Sequence, residues 1–229
     1  MKKLALALFA MLLIFSTAGC SGPGFMNDKD IKDIDTITGS ITLSYRNLDN
    51  QNETESYTIA FELYYKKAPI TVTNFVKLAK SGFYNDTFCS KFSMADGSEY
   101  FAVDAYIEEE DAKQQKSLDY YIKGEFEKNG WDRNDLNHTY GTMSMMRSGD
   151  YDTASFAFMV CLDNEGFKDR DGEYAAFGKL KDIDNRFFED LQRMSREGAI
   201  YLYDYDFKVV EIKINGDVDL GEPLKIKKK

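Results

Sequence analysis

The chain has 229 residues, 43% of them apolar, and a formal net charge of −10 from 29 basic and 39 acidic side chains. That length and composition suit one domain with a sizeable core. The acidic balance repels phosphates and argues against a nucleic-acid partner, and a single histidine with no Cys/His/Asp cluster at ligand spacing argues against a zinc or haem enzyme.

The first residues, MKK, form a short basic start. The apolar run LALALFAMLLIF follows, and then STAGCSG. The run is too short to cross a bilayer, so residues 1–19 read as a secretory signal. Cys20 directly follows Ala18 and Gly19, an arrangement that resembles the bacterial lipoprotein signal, although Thr17 stands where that signal has leucine. The resemblance implies that Cys20 is lipidated and that the protein is anchored outside the cytoplasmic membrane. Residues 20–37 read as a polar linker.

A domain spanning residues 38–215 follows. ITGSITLSYRN (37–47) and ESYTIAFELYYK (55–66) alternate apolar and polar residues and predict two antiparallel strands. In APITVTNFVKLAKSG, Val72, Phe75, Val76 and Ala79 fall at helical spacing, with Thr71 as N-cap and Gly82 as stop. FYNDTFCSKF (83–92) leaves that helix as a loop and ends as a strand. Residues 104–134 are acidic and polar and read as an excursion with one helix, outside the core. GTMSMM (141–146), SFAFMVCL (155–162) and EYAAFGKL (173–180) read as buried strands. Residues 182–198 form an amphipathic helix with Ile183, Phe187, Leu191 and Met194 on one face. Residues 200–214 form a long last strand, and 216–229 a solvated basic tail. Cys89 and Cys161, among apolar neighbours, are expected as free thiols. About eight strands with an early and a late helix predict a mainly β fold, a closed antiparallel barrel capped by two helices.

Two segments carry a family resemblance. FELYYKKAPITVTNFVKLAKSGFYNDTF (61–88) resembles the opening of the cyclophilins. HTYGTMSMMRSGDYDTASFAFMVCLDN (138–164), followed by GEYAAFGKL (172–180), resembles their second half. The resemblance implies an eight-stranded barrel with two capping helices. It also implies peptidyl-prolyl cis-trans isomerisation of X-Pro-containing polypeptides, with no cofactor or metal. Rotation about an X-Pro bond crosses an amide barrier of ~18–20 kcal/mol and takes tens to hundreds of seconds unaided. An apolar pocket for the proline and a preorganised donor near the amide favour the twisted state.

In the family that donor is the arginine of a Phe-His-Arg sequence. Here Cys89, Ser90 and Lys91 fall on it, which makes Lys91 the candidate catalytic residue. Lysine keeps the charge but lacks the planar fork. Losing one charge-assisted hydrogen bond, worth ~1–3 kcal/mol, slows a reaction by roughly 10- to 100-fold. The resemblance places the substrate-binding wall at Tyr100, Phe101, Met146, Phe156, Phe158 and Tyr174. Val103 and Phe156 fall where the family has glutamines, so the polar ring of the pocket thins. The family's groove tryptophan has no counterpart, since Trp131 lies in the excursion. His138 reads as a structural residue ahead of the GTMSMM strand.

The expected function is thus a monomeric, membrane-anchored isomerase that assists folding of exported proteins. A binding module on the same fold, weak or inactive in turnover, is the alternative. A solute-binding lipoprotein would need two lobes, which a single barrel does not supply.

Overall fold

Strand β1 (Thr36–Arg46) and strand β2 (Thr54–Tyr64) pair antiparallel along their whole length, with Ile41 opposite Ile59 and Leu43 opposite Tyr57. The period-two pattern points Ile37, Ile41, Leu43 and Tyr45 inward together with Ile59, Phe61 and Leu63. Gly39 lies opposite Phe61. A Cβ at residue 39 would sit 2.4 Å from the Phe61 ring and 2.3 Å from the Lys213 carbonyl, so the close approach requires glycine. These features belong to a computed structural model that describes residues 24–93, 99–109, 112–163, 167–196 and 205–228.

Helix α1 (Pro69–Lys80) begins with proline at its first position, where no N–H is needed. Thr71, expected as the cap, lies inside the first turn. The cap comes from Glu125, whose carboxylate accepts the N–H of Ile70 at 2.9 Å and of Thr71 at 2.8 Å. Gly82, at φ +70°, follows the helix in the left-handed conformation that a C-terminal stop uses.

The remaining elements are β3 (Thr87–Ser93), β4 (Glu99–Glu109), β5 (Ala112–Gln115), β6 (Tyr120–Ile122), β7 (Thr142–Met145), β8 (Phe158–Cys161), β9 (Ala176–Leu180), α2 (Asn185–Arg196), β10 (Lys208–Ile214) and β11 (Lys225–Lys227). The sheet runs β3-β10-β1-β2-β9-β7-β8-β4, and a β3–β4 pairing closes it. The result is a closed eight-stranded antiparallel barrel, with β5 paired to the C-terminal end of β4, Tyr106–Glu109. The expected fold class is correct.

Both helices are held by aromatic packing. Phe75 of α1 lies 5.2–5.9 Å from the rings of Phe61, Phe158 and Phe177. Phe187 of α2 packs on Tyr45, Phe101 and Phe207 at 6.1–6.3 Å. Such pairs add about 0.5–1.5 kcal/mol each beyond simple burial. Phe187, Leu191 and Met194 are buried, as the helical spacing predicts, and Ile183 is partly buried.

Residues 104–134 differ from expectation. They contain no α-helix among the described residues, and they contribute Ala105, Tyr120, Ile122, Phe126 and Trp131 to the buried set. Single apolar residues between polar ones gave no period to read. Two of them are fixed instead by a specific bond. The Trp131 indole donates to the Lys67 carbonyl at 2.7 Å, and the Tyr120 hydroxyl donates to Asn74 Oδ1 at 2.8 Å.

The two ends also pack. Phe25 lies 5.1 Å from Trp131, and Met26, Ile31 and Ile34 rest on the core, in a stretch expected to be linker. In the C-terminal stretch expected to be a solvated tail, β11 pairs with β6. Cys89 and Cys161 are free and buried.

Candidate active site

The candidate site borders the outward face of β4 and its neighbours. Along the β4–β8 pairing, Phe101 stands opposite Val160 and Val103 opposite Phe158, and all four belong to the barrel core. The intervening pairs, Tyr100 with Cys161 and Ala102 with Met159, fall on the other face. Ser144 of β7, opposite Met159, extends that face.

Ser90 and Asp104 add polar groups there. The Ser90 hydroxyl donates to Asp104 Oδ2 at 2.6 Å, while Asp104 Oδ1 is buried without a hydrogen-bond partner. Burial raises the Asp104 carboxyl to about 6, against the lowering effect of the Ser90 bond. Tyr100 is half-buried, with its ring 5.7 Å from Phe167. Burial lifts its phenol above the usual value, and the positive charge of Arg170 opposes that rise.

A short 3-10 turn, Lys168–Arg170, follows Phe167 and leads to Tyr174. Two guanidinium groups lie over the Tyr174 ring, Arg147 at 4.4 Å and Arg170 at 4.9 Å. Arg147 also lies near the rings of Tyr151 and Phe126. Its Nε donates to the Glu173 carbonyl, and Nη1 to the carbonyls of Ser148 and Gly149. Beyond Arg147 lies a pocket of about 250 Å³ walled by Met146, Phe156 and Ala157, with Tyr121 and Lys228 at its border.

The structure brings Tyr100 and Tyr174 to one ledge, and Met146 and Phe156 to the adjoining pocket. It does not bring Phe101 and Phe158 to the groove, which corrects the expectation that both line it. Each is fully buried. Phe101 packs under α2 on Phe187 and Phe207, and Phe158 packs on Phe75 and Phe177. Alternation along the strands decides this, since each is one residue away from an outward position. The Lys91 backbone pairs with Phe101 in the β3–β4 ladder, and its side chain lies outside the described residues. Cys20 also lies outside them.

Sequence reading missed Arg147, Phe167, Arg170 and Asp104. The available signal was an arginine inside the turn DRDGEY, immediately before Tyr174.

His138 joins Asp171 and Ser144 in a chain that looks like hydrolytic machinery. Nδ1 is 2.8 Å from Asp171 Oδ1, and Nε2 is 2.8 Å from Ser144 Oγ. Ser144 is fully buried, so its hydroxyl cannot meet a substrate. Burial also holds the imidazole below its usual pKa, despite Asp171. The neutral ring ties the loop before β7 to the turn before β9, a structural role. A larger cleft of about 630 Å³ lies between residues 28–35 and 131–135. Several of its charges are already paired, Lys66 with Asp33 and Asp35, and Lys67 with Asp135. Solvent screens such exposed pairs.

Comparison with known proteins decides the family. The model of the cyclophilin-type peptidyl-prolyl cis-trans isomerase/CLD family matches residues 50–203. The chain belongs to the cyclophilin family. It is 34% identical over 118 residues to "Peptidyl-prolyl cis-trans isomerase A" of Dickeya dadantii, covering 50% of this chain and 56% of that protein. It is 28% identical to a peptidyl-prolyl cis-trans isomerase of Acinetobacter baylyi, covering 66% of this chain and 77% of that one. A peptidyl-prolyl cis-trans isomerase of Helicobacter pylori is 32% identical, covering 56% of this chain and 69% of its own length. Among solved structures, a cyclophilin of Cryptosporidium parvum covers 78% of this chain and 99% of its own at 18% identity and a TM-score of 0.47. The same protein in the presence of the dipeptide Ala-Pro gives a TM-score of 0.48.

Proposed function

We propose that this cyclophilin catalyses cis-trans isomerisation of X-Pro bonds in polypeptides. The observation that carries the reading is the family match over residues 50–203, which spans the outward face of β4, β7, β8 and β9. The half-buried Tyr100 ring, backed by the buried Phe167, offers a surface for a proline ring. The pocket of Met146, Phe156 and Ala157 beside it takes a neighbouring side chain of the same segment. Cationic donors at the ledge favour the twisted amide, whose nitrogen lone pair becomes localised as resonance is lost. Rotation needs no nucleophile, and the buried Ser144 supplies none.

The signal-like start and Cys20 support a setting outside the cytoplasmic membrane, with exported polypeptides as substrates and a lipid anchor at the N-terminus. The protein works there as a monomer, on a closed barrel. With lysine at residue 91, turnover is slower than with the arginine found in the family.

The test is cis-trans exchange of an Ala-Pro-containing peptide, measured by NMR with the chain from residue 24 onward. Accelerated exchange supports the isomerase. Exchange at the buffer rate, with the peptide resonances still perturbed, rejects turnover and leaves a proline-binding module. Labelling with a radioactive fatty acid in a bacterial host tests the anchor: a Cys20→Ser protein that still takes up label rejects lipidation at Cys20.

A further inference from the structure

We propose that Arg170, in the turn between β8 and β9, is a catalytic donor of this site and reaches the twisted X-Pro amide from the wall facing β4. The assignment rests on the isomerase reading above.

Arginine side chains in folded proteins are held by their hydrogen bonds. Those of Arg46, Arg133, Arg147, Arg186 and Arg193 all donate them here. Arg170 is the exception among the described side chains. Its Nε is buried without a hydrogen-bond partner, and its ion pair is a 3.5 Å approach of Nε to the adjacent Asp169. The guanidinium is positioned by the Tyr174 ring, 4.9 Å away, and its side chain is 21% exposed. A planar group held by stacking keeps a fixed orientation, and with Nε buried it is the Nη donors that remain available.

The surroundings place Arg170 beside the Tyr100 ring. Arg170 closes a turn onto Phe167, its N–H donating to the Phe167 carbonyl at 2.9 Å, and Phe167 carries the Tyr100 ring. The charge of Arg170 acts on the Tyr100 phenol. Arg147, the other guanidinium over Tyr174, cannot serve in the same way. Its side chain is 8% exposed, and its donors are engaged with three carbonyls. The two arginines thus divide the work on one ring: Arg147 fixes the loop, and Arg170 presents its donors. A site whose β3 position carries lysine would then still hold a planar donor, supplied from the opposite wall.

The test compares wild type with Arg170→Ala, Arg170→Gln and the neighbouring Lys168→Ala in Ala-Pro peptide exchange. Arg170→Gln keeps a flat group over Tyr174 without the charge. Loss of a charge-assisted bond to the reacting amide lowers the exchange enhancement at least about tenfold in both Arg170 variants. The peptide still perturbs the amide signals of both, and Lys168→Ala stays near wild type. In labelled wild type, the Arg170 Nε–H resonance moves as peptide is added, a readout that does not depend on any variant folding. Wild-type exchange in both Arg170 variants overturns the assignment. So does a stationary Nε–H signal while the Tyr100 and Tyr174 amides shift. If wild type itself does not accelerate exchange, the isomerase reading fails and the catalytic role falls with it. The first two failures leave that reading intact.

Discussion

Glu125 and Thr71 are 54 residues apart in sequence, yet the Glu125 carboxylate accepts the Thr71 N–H at 2.8 Å and closes the first turn of α1. Glu125 is fully buried, and burial raises its carboxyl to about 7 although the backbone bonds pull it down. A folded-state pKa above the unfolded one means stability present below about 4.5 and lost as pH rises through 7. The full shift corresponds to roughly 3 kcal/mol. Asp104, raised to about 6, adds a loss of the same sign at lower pH. His138 acts oppositely: its lowered pKa gives stability that is lost as pH falls below 6.5. Urea unfolding should therefore show stability declining between pH 6.5 and 8. Glu125→Gln flattens that interval and lowers stability by ~1–3 kcal/mol at pH 6.5, since its amide nitrogen cannot accept the second N–H. A variant with an unchanged slope removes Glu125 as the cause.

The Tyr45 hydroxyl donates to the buried Asp190 Oδ2 at 2.5 Å, which ties β1 to α2. Tyr45→Phe leaves that carboxylate short of one donor and should cost ~1.5–3 kcal/mol in denaturant unfolding. A cost under half a kilocalorie would show that Arg193, also bonded to Asp190, is enough on its own.

Phe158 separates a core role from a groove role. Phe158→Ala should destabilise by ~3–5 kcal/mol while folded protein keeps its affinity for an Ala-Pro peptide in NMR titration. Lost affinity at unchanged stability would return Phe158 to the groove.

Ending the chain after Leu220 removes β11. Lys225 and Lys228 then leave the rings of Tyr120 and Tyr121, each 4.7 Å away. The barrel should still fold, with a melting temperature lower by roughly 3–8 °C. Amide shifts should concentrate at residues 120–122 and around Met146 and Phe156. Shifts spread evenly over the barrel would mean that β11 supports the core and not only the pocket border.

Strands with long alternation, β1 and β2, and helices with clear spacing were legible because each buries one face continuously. The family motifs covered α1 and the strands β7, β8 and β9. Phe101 and Phe158 were misplaced because a one-residue choice of strand face cannot be read from an apolar run such as FAFMVCL. The excursion was misread because Trp131 and Tyr120 are held by single long-range bonds. Arg170 was marked in the sequence only by its place in DRDGEY, because what singles it out is a side chain without hydrogen bonds, a property only a structure displays.

The packing of Phe25 on Trp131, with Met26 Sδ facing the Tyr65 hydroxyl and Asp28 paired with Arg133, carries a geometric consequence for an anchored protein. If Cys20 bears the lipid, the stretch from residue 20 to residue 25 reaches roughly 17 Å at full extension. That is a short leash. The barrel would ride close to the bilayer with limited freedom to turn, and its clients would be chains still near the membrane from which they emerge.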